Sequence, residues 1–176
     1  VLHVMTSDPL PARSAQLFTP HLDPLPLDYK RNSDSPDASD NLTWPDAMAL
    51  LKAHRGERQA AMAGGSLLVH PAQIGLQPFY VDGRFATADI FAMFGVPFER
   101  GQGWSAADDA ARARVVVLSA DLNRQLFGNV PSIGKTVQIE DAAFRVIGVL
   151  GDWHPHPVFY ADLNYGAFSK SDEFYL

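Results

Sequence analysis

The sequence predicts an α+β domain, and three observations carry that prediction. Thr43-x-x-Asp46 and Ser105-x-x-Asp108 each place a hydroxyl three residues ahead of a carboxylate, the pattern of a capped helix start. Arg114 to Ser119 (RVVVLS) is a nearly continuous apolar strand, the pattern of a strand covered on both faces. Lys135 to Glu140 alternates, with Val137 and Ile139 inward and Thr136, Gln138 and Glu140 outward, and FRVIGVL then returns as a second strand.

The totals bound the class. At 176 residues the chain fits one domain or two small subdomains. Its 47% apolar and 19% charged content is that of an ordinary globular protein. A net charge of −6 argues against nucleic acid as a partner, since no basic patch is available to neutralise phosphates. Cysteine is absent, which excludes disulfides, thiol catalysis and zinc–thiolate sites. No apolar run is long enough to cross a bilayer, so the chain as given is expected to be soluble. Its strand-like ends, Val1-Leu2-His3-Val4 and Phe174-Tyr175-Leu176, are expected to be cut edges of a longer protein.

Taken in order, TSDPLP at Thr6 to Pro11 is turn chemistry, and Ser14 to Asp23 is expected as a strand limited by Pro20. Pro24 to Asn41 reads as an exposed loop rich in Pro, Asp and Ser. The first helix is capped by Thr43, admits Pro45 in its first turn, carries Ala47, Leu50, Leu51 and His54 on one stripe, and ends at Gly56. Arg58 to Met62 and Ser66 to His70 are two short strands around a turn or bulge at Gly64-Gly65. Gln77 to Arg84 is another strand with Phe79 and Val81 on one face. Thr87 is expected to cap a short helix that buries Ile90, Phe91 and Phe94, with Gly95 left-handed after it and Pro97 forbidding continuation. Phe98 to Gly103 reads as a loop. After the strand of Val115 to Ser119, Ser119 caps a helix stopped by Gly128, and Asp141-Ala142 turns the closing hairpin. Gly151 to Leu176 is aromatic-rich and irregular.

Several stretches imitate reactive sites. Gly128 to Thr136 (GNVPSIGKT) has five residues where a phosphate loop needs four, and its glycine closes a helix instead of preceding one; a helix stop plus turn is the better reading. Asp152, His154 and His156 are of the right type for metal ligands, but the other histidines are scattered and the intervening prolines read more simply as a stiff loop. Asp108 and Asp109 resemble a carboxylate pair, yet neighbours on a helix point apart and acids are common in first turns. Trp44, Trp104 and Trp153, with the aromatics of Phe159 to Tyr165, line either a core or a partner surface. Asn41-Leu42-Thr43 fits a glycosylation sequon in which Thr43 is better used as a cap. No Gly-x-Ser-x-Gly elbow and no dinucleotide fingerprint is present. No catalytic or cofactor-binding residue is therefore assigned; Asp152, His154 and His156 stand as the metal candidates, and a periplasmic small-ligand or metal-binding module as the alternative function.

The order of these features resembles a known family. Gly95-Val96-Pro97, the glycine-bearing loop and acidic helix start from Gly101 to Asp109, Val115 to Ser119, Leu126 to Gly128, Pro131 to Gly134 and Val146 to Val149 follow one another as in the MacB-like periplasmic core domain of ABC transporter permeases, with Ser14 to Ala63 similar more loosely. The resemblance implies a mixed sheet with β-α-β units and short helices on one side, plus a smaller β-rich subdomain. It implies one extracytoplasmic domain over residues 1–176, with a mixed α/β part at 1–113 and a strand–helix–hairpin part at 114–176. It further implies a non-enzymatic role at the periplasmic face of the bacterial inner membrane, transmitting conformational change or engaging substrate or partner. Transmembrane segments of the same permease would be its neighbours, with ATP on a separate cytoplasmic ATPase domain or subunit. Another periplasmic protein or a second permease copy are the further partners implied, and the chain itself would hold no cofactor.

Overall fold

The computed structural model describes residues 10, 13–20, 28, 42–72, 75–128, 130–155, 158–160 and 172–176. The chain divides into two units: Val1–Arg55 with Pro155–Lys170, and Gly56–His154 with Ser171–Leu176. The expected division at residue 113/114 does not coincide with these units, because strands from both sides of it pair in one sheet.

In the first unit the described residues carry a 3-10 turn, Ser14–Gln16, and helix α1, Trp44–Lys52. Where a strand was expected from Ser14, the chain turns instead; residues 21–23 lie outside the described set. Thr43 caps α1 by accepting the Asp46 N–H at 3.4 Å, and the Pro45 ring occupies the first turn. The helix stops at Lys52, before Gly56, because His54 takes a left-handed φ of 46°. The loop expected at 24–41 lies almost wholly outside the described residues. Among the described residues of this unit no strand is present, so none of them belongs to the smaller β-rich part that the resemblance implied.

The second unit holds one mixed sheet. Its strands are β1 (Met62–His70), β2 (Phe79–Ala86), β3 (Phe98–Gly101), β4 (Val115–Leu118), β5 (Thr136–Ile139), β6 (Ala142–Leu150) and β7 (Phe174–Tyr175), in the order β3-β6-β4-β7-β2-β1-β5. Strand β5 pairs with β6 as well as with β1, so the ladder closes on itself, and β3 shares the β5 edge of β6. Strands β4 and β6 run parallel, linked through helix α4 (Ala120–Phe127), which is the β-α-β unit the resemblance implied.

Differences from the expected elements have local causes. Gly64-Gly65 does not break β1: the strand runs through, pairing Gly64 with Arg84 and Gly65 with Gly83. The loop after Pro97 is strand β3, held by the second half of β6 with a register shift between Phe98 and Arg100. That approach is close enough that a Cβ on Gly101 (φ 67°) would lie 2.0 Å from the Ile147 carbonyl oxygen, so only glycine fits. The hairpin turns at Glu140-Asp141, one residue earlier than expected, since Ala142 already pairs with Ile139.

The irregular tail contributes the least expected element. Phe174 and Tyr175 slot between β2, to which they run parallel, and β4, to which they run antiparallel. Four backbone bonds zip this segment in place: Glu173 N to Asp82 O, Leu176 N to Arg84 O, Ala86 N to Leu176 O and Ser119 N to Glu173 O at 2.8–2.9 Å, with the ladder between. Beneath it the Arg84 guanidinium donates to Asp172 at 2.7 Å, both side chains being only 8% exposed. The core joins Val69, Val81, Val116, Leu118, Leu122, Leu126, Val137, Ile139, Val146 and Phe174. An aromatic group stands beside it, with Phe91 edge-on to Trp104 at 4.5 Å and near Phe98 and Tyr175.

Candidate functional site

The apolar residues of the second unit are spent on closing the sheet, so any site must be built from what its helices and strand ends leave outside. Helix α2 (Asp89–Phe94) turns its Ile90, Phe91 and Phe94 inward, and Gly95, left-handed at φ 63°, ends it as expected. Its start differs from expectation. Thr87 does not cap it; the Thr87 hydroxyl instead accepts the Ala61 N–H at 3.1 Å, and the α2 start is capped from a distance by Asp109, which accepts the Ala88 N–H at 2.8 Å. A carboxylate at that position also suits the helix dipole.

Helix α3 (Ala106–Ala111) opens with the full capping box. Ser105 Oγ accepts the Asp108 N–H, while Asp108 accepts the Ser105 N–H at 2.8 Å and the Ser105 hydroxyl at 2.7 Å. These two donors hold the Asp108 carboxyl below its ordinary range, first the Ser105 hydroxyl and then the Ser105 backbone N–H; partial burial opposes them, and the Arg145 guanidinium assists. Arg112 ends α3 in the left-handed conformation, φ 49°.

Around this helix lies a cleft of about 260 Å³. Phe85, Trp104, Phe144, Val115 and Leu176 form its apolar walls; Asp108, Asp109, Arg112 and Arg114 supply its charge. Both carboxylates are occupied in holding helix ends, and among the described residues no nucleophile or histidine lines the cleft. Its chemistry is that of a surface offering guanidinium donors beside exposed aromatic area. Sequence reasoning missed it because its residues come from α3, β2, β4, β6 and the chain's last residue. The one local signal was Arg112-x-Arg114 in an acidic chain.

The residues singled out by motif fare differently. Gly128 (φ 59°) closes α4, and the following turn, with Lys135 N donating to Ser132 O, leads into a strand; among the described residues no helix start faces Lys135, whose Nζ lies 5.5 Å from the Phe127 ring centroid. Asp152 and His154 approach to 3.8 Å, exposed at 97% and 56%, whereas His156 lies outside the described residues. Among the described residues no group of three potential ligands gathers. Trp104 is buried, Trp153 half-buried and Trp44 exposed; Phe159 and Tyr160 meet edge-on at 5.1 Å, and the aromatics beyond them lie outside the described residues, as does Asn41 of the sequon.

Comparison with known structures gives the class first. The fold is shared with the extracellular domain of the noncanonic ABC-type transporter YknZ from Gram-positive bacteria (TM-score 0.55, 18% identity, 73% of this chain and 59% of that one). It is also shared with the periplasmic region of MacB from Actinobacillus actinomycetemcomitans (TM-score 0.53, 22% identity, 76% and 63%). The chain belongs to the family of MacB-like periplasmic core domains, whose model matches residues 6–174. Its curated relatives include the macrolide export ATP-binding/permease protein MacB of Salmonella paratyphi A, 29% identical over 117 residues, and the pyoverdine export ATP-binding/permease protein PvdT of Pseudomonas aeruginosa, 28% identical over 107. These matches cover 66% and 61% of the chain but only 18% and 16% of those proteins. The family is a periplasmic domain of transporter permeases, and among the described residues no helix is long and apolar enough to cross a membrane.

Proposed function

We propose that this chain is a non-catalytic periplasmic body of an ABC-type export permease, coupling nucleotide-driven movement of membrane helices to engagement of substrate or partner outside the membrane. The observation that carries the reading is the commitment of Asp108 and Asp109, the acids of the cleft, to the starts of α3 and α2. Groups tied to backbone N–H donors are poor acid–base catalysts but good fasteners of a stiff body. In this reading ATP is hydrolysed by a cytoplasmic domain or subunit, the membrane segments of the same permease move the domain, and a second permease copy or another periplasmic protein meets it. The test is to replace this region by a flexible linker in the full-length permease and to follow ATP hydrolysis and export together. Hydrolysis that persists while export is lost supports coupling; export at the original rate overturns it.

A metal-binding module is the second reading, favoured only by the 3.8 Å approach of His154 to Asp152. Calorimetric titration with zinc decides it: stoichiometric binding abolished by His154→Ala and His156→Ala would establish a site, and heats no larger than dilution would remove it.

A further inference from the structure

We propose that the cleft beside α3 is a docking site for an acidic peptide segment of a partner protein, in which one carboxylate is gripped by Arg112 and Arg114 while a neighbouring apolar side chain covers Phe85. The inference rests on the engagement role proposed above only for its setting; the grip is argued from the cleft alone.

Both guanidiniums are exposed, and neither forms an ion pair among the described residues. Each offers five N–H donors in a planar fork that matches a carboxylate. The acids beside them already accept from Ser105 and Ala88, so the unspent hydrogen-bonding capacity of the cleft is weighted towards donors. Arg145 adds a third cation close enough to act on Asp108. Arg112 and Arg114 match Asp108 and Asp109 in number along the cleft, and Arg145 tips the local balance towards the cations.

The remaining features narrow the occupant. Phe85 is 43% exposed at the rim, with Phe144 half-buried beside it, so an apolar side chain gains by lying there. A volume of about 260 Å³ takes one or two side chains and falls below the usual size of an enclosing small-molecule pocket. Asp108 and Asp109 would repel a polyanion such as nucleic acid, whereas a single carboxylate can sit against the guanidiniums. Finally, Arg112 occupies a left-handed position that glycine would fill with less strain. A large cation stands where helix capping alone would favour glycine.

The experiment titrates the full 176-residue chain, isotopically labelled, with four-residue peptides pairing Glu or Asp with Phe, Tyr, Leu or Ile, and with their Gln or Asn counterparts. Amide shifts are expected at Phe85, Arg112 to Val115 and Phe144, with affinity at least about tenfold weaker for the uncharged peptides, the factor set by losing one charge-assisted pair. Arg112→Gly is expected to abolish these shifts while leaving the melting temperature unchanged or higher, a result a purely structural arginine would not give. Arg114→Gln provides an independent second variant. Equal shifts from the uncharged peptides, shifts that survive both substitutions, a response to inorganic phosphate but to no peptide, or silence across the panel would each overturn the proposal. The titration involves neither ATPase nor membrane, so its failure leaves the coupling role standing; failure of the coupling role shows in the export assay instead.

Discussion

Replacing Gly83 with alanine tests how strand β7 is seated. A Cβ built on Gly83 falls 2.3 Å from Phe174 Cε2 and Cζ and 2.5 Å from Cδ2. Carbon pairs rest at about 3.5–4.0 Å, so the ring would have to withdraw by about 1.2 Å. It has nowhere to go: Phe174 is fully buried in the core, between β2 and β4. The chain must then shift at the Gly83–Phe174 and Arg84–Tyr175 pairs, and overpacking of this kind costs about 1–3 kcal/mol. Stiffening of the unfolded chain by alanine returns about 0.4–1 kcal/mol. A net loss of about 1 kcal/mol follows, read as a fall of about 2–4 °C in melting temperature for a chain of this size. Urea unfolding followed by tryptophan fluorescence measures it, and Phe174→Leu in the same chain should recover at least about 1 kcal/mol relative to the sum of the singles, since touching residues are not additive. A neutral Gly83→Ala, or strictly additive effects, would refute the close seating of β7 against β2.

Other substitutions probe neighbouring joints. Arg84→Met removes the cation of a pair that is 8% exposed on both sides, and the loss should be about 3–5 kcal/mol by chemical denaturation, partly recovered by Asp172→Leu because an apolar pair carries no desolvation cost. Ser119→Ala deletes the hydroxyl that accepts the Leu122 N–H at 3.0 Å and donates to Glu173, so it should cost about 1–2 kcal/mol and raise hydrogen exchange at the start of α4. Asp108 has a lowered pKa through its Ser105 bonds, so its contribution is full above the unfolded carboxyl value of 3.8 and is lost as pH falls through the lower folded value. Thermal scans from pH 6 downward should therefore show Asp108→Asn losing stability at neutral pH and converging on the parent protein in acid; parallel curves would contradict the capping role.

What was legible in the sequence was whatever is decided within a few residues. Ser105 with Asp108, Ser119 with Leu122 and the left-handed Gly95 act through bonds to residues at most four positions away, and the alternation of Val137 and Ile139 has a period of two residues; all stand where expected. What was not legible depends on distant partners. Thr87 has the chemistry of a cap, but Ala61 reaches it first and Asp109 takes over the α2 start. Gly64-Gly65 has the chemistry of a turn, yet β2 lies alongside and extends it. Strand β7 is two residues long and exists only because β2 and β4 flank it. Arg84 gave no hint of its pairing with Asp172, which lies 88 positions away. The cleft escaped for the same reason, since Phe85, Arg112 and Phe144 become neighbours only once the sheet closes.

The most direct test of the account is whether the second unit keeps its shape while the transporter works. The chain has no cysteine, so spin labels at Glu99→Cys on β3 and Thr136→Cys on β5 report one distance inside that unit, in a full-length permease stripped of other cysteines. The account predicts the same distance distribution with and without trapped nucleotide, while the distance from Thr136→Cys to a label on the cytoplasmic ATPase changes. A nucleotide-dependent shift of more than about 2 Å between the two labels within the unit would contradict a body that is moved without being remodelled.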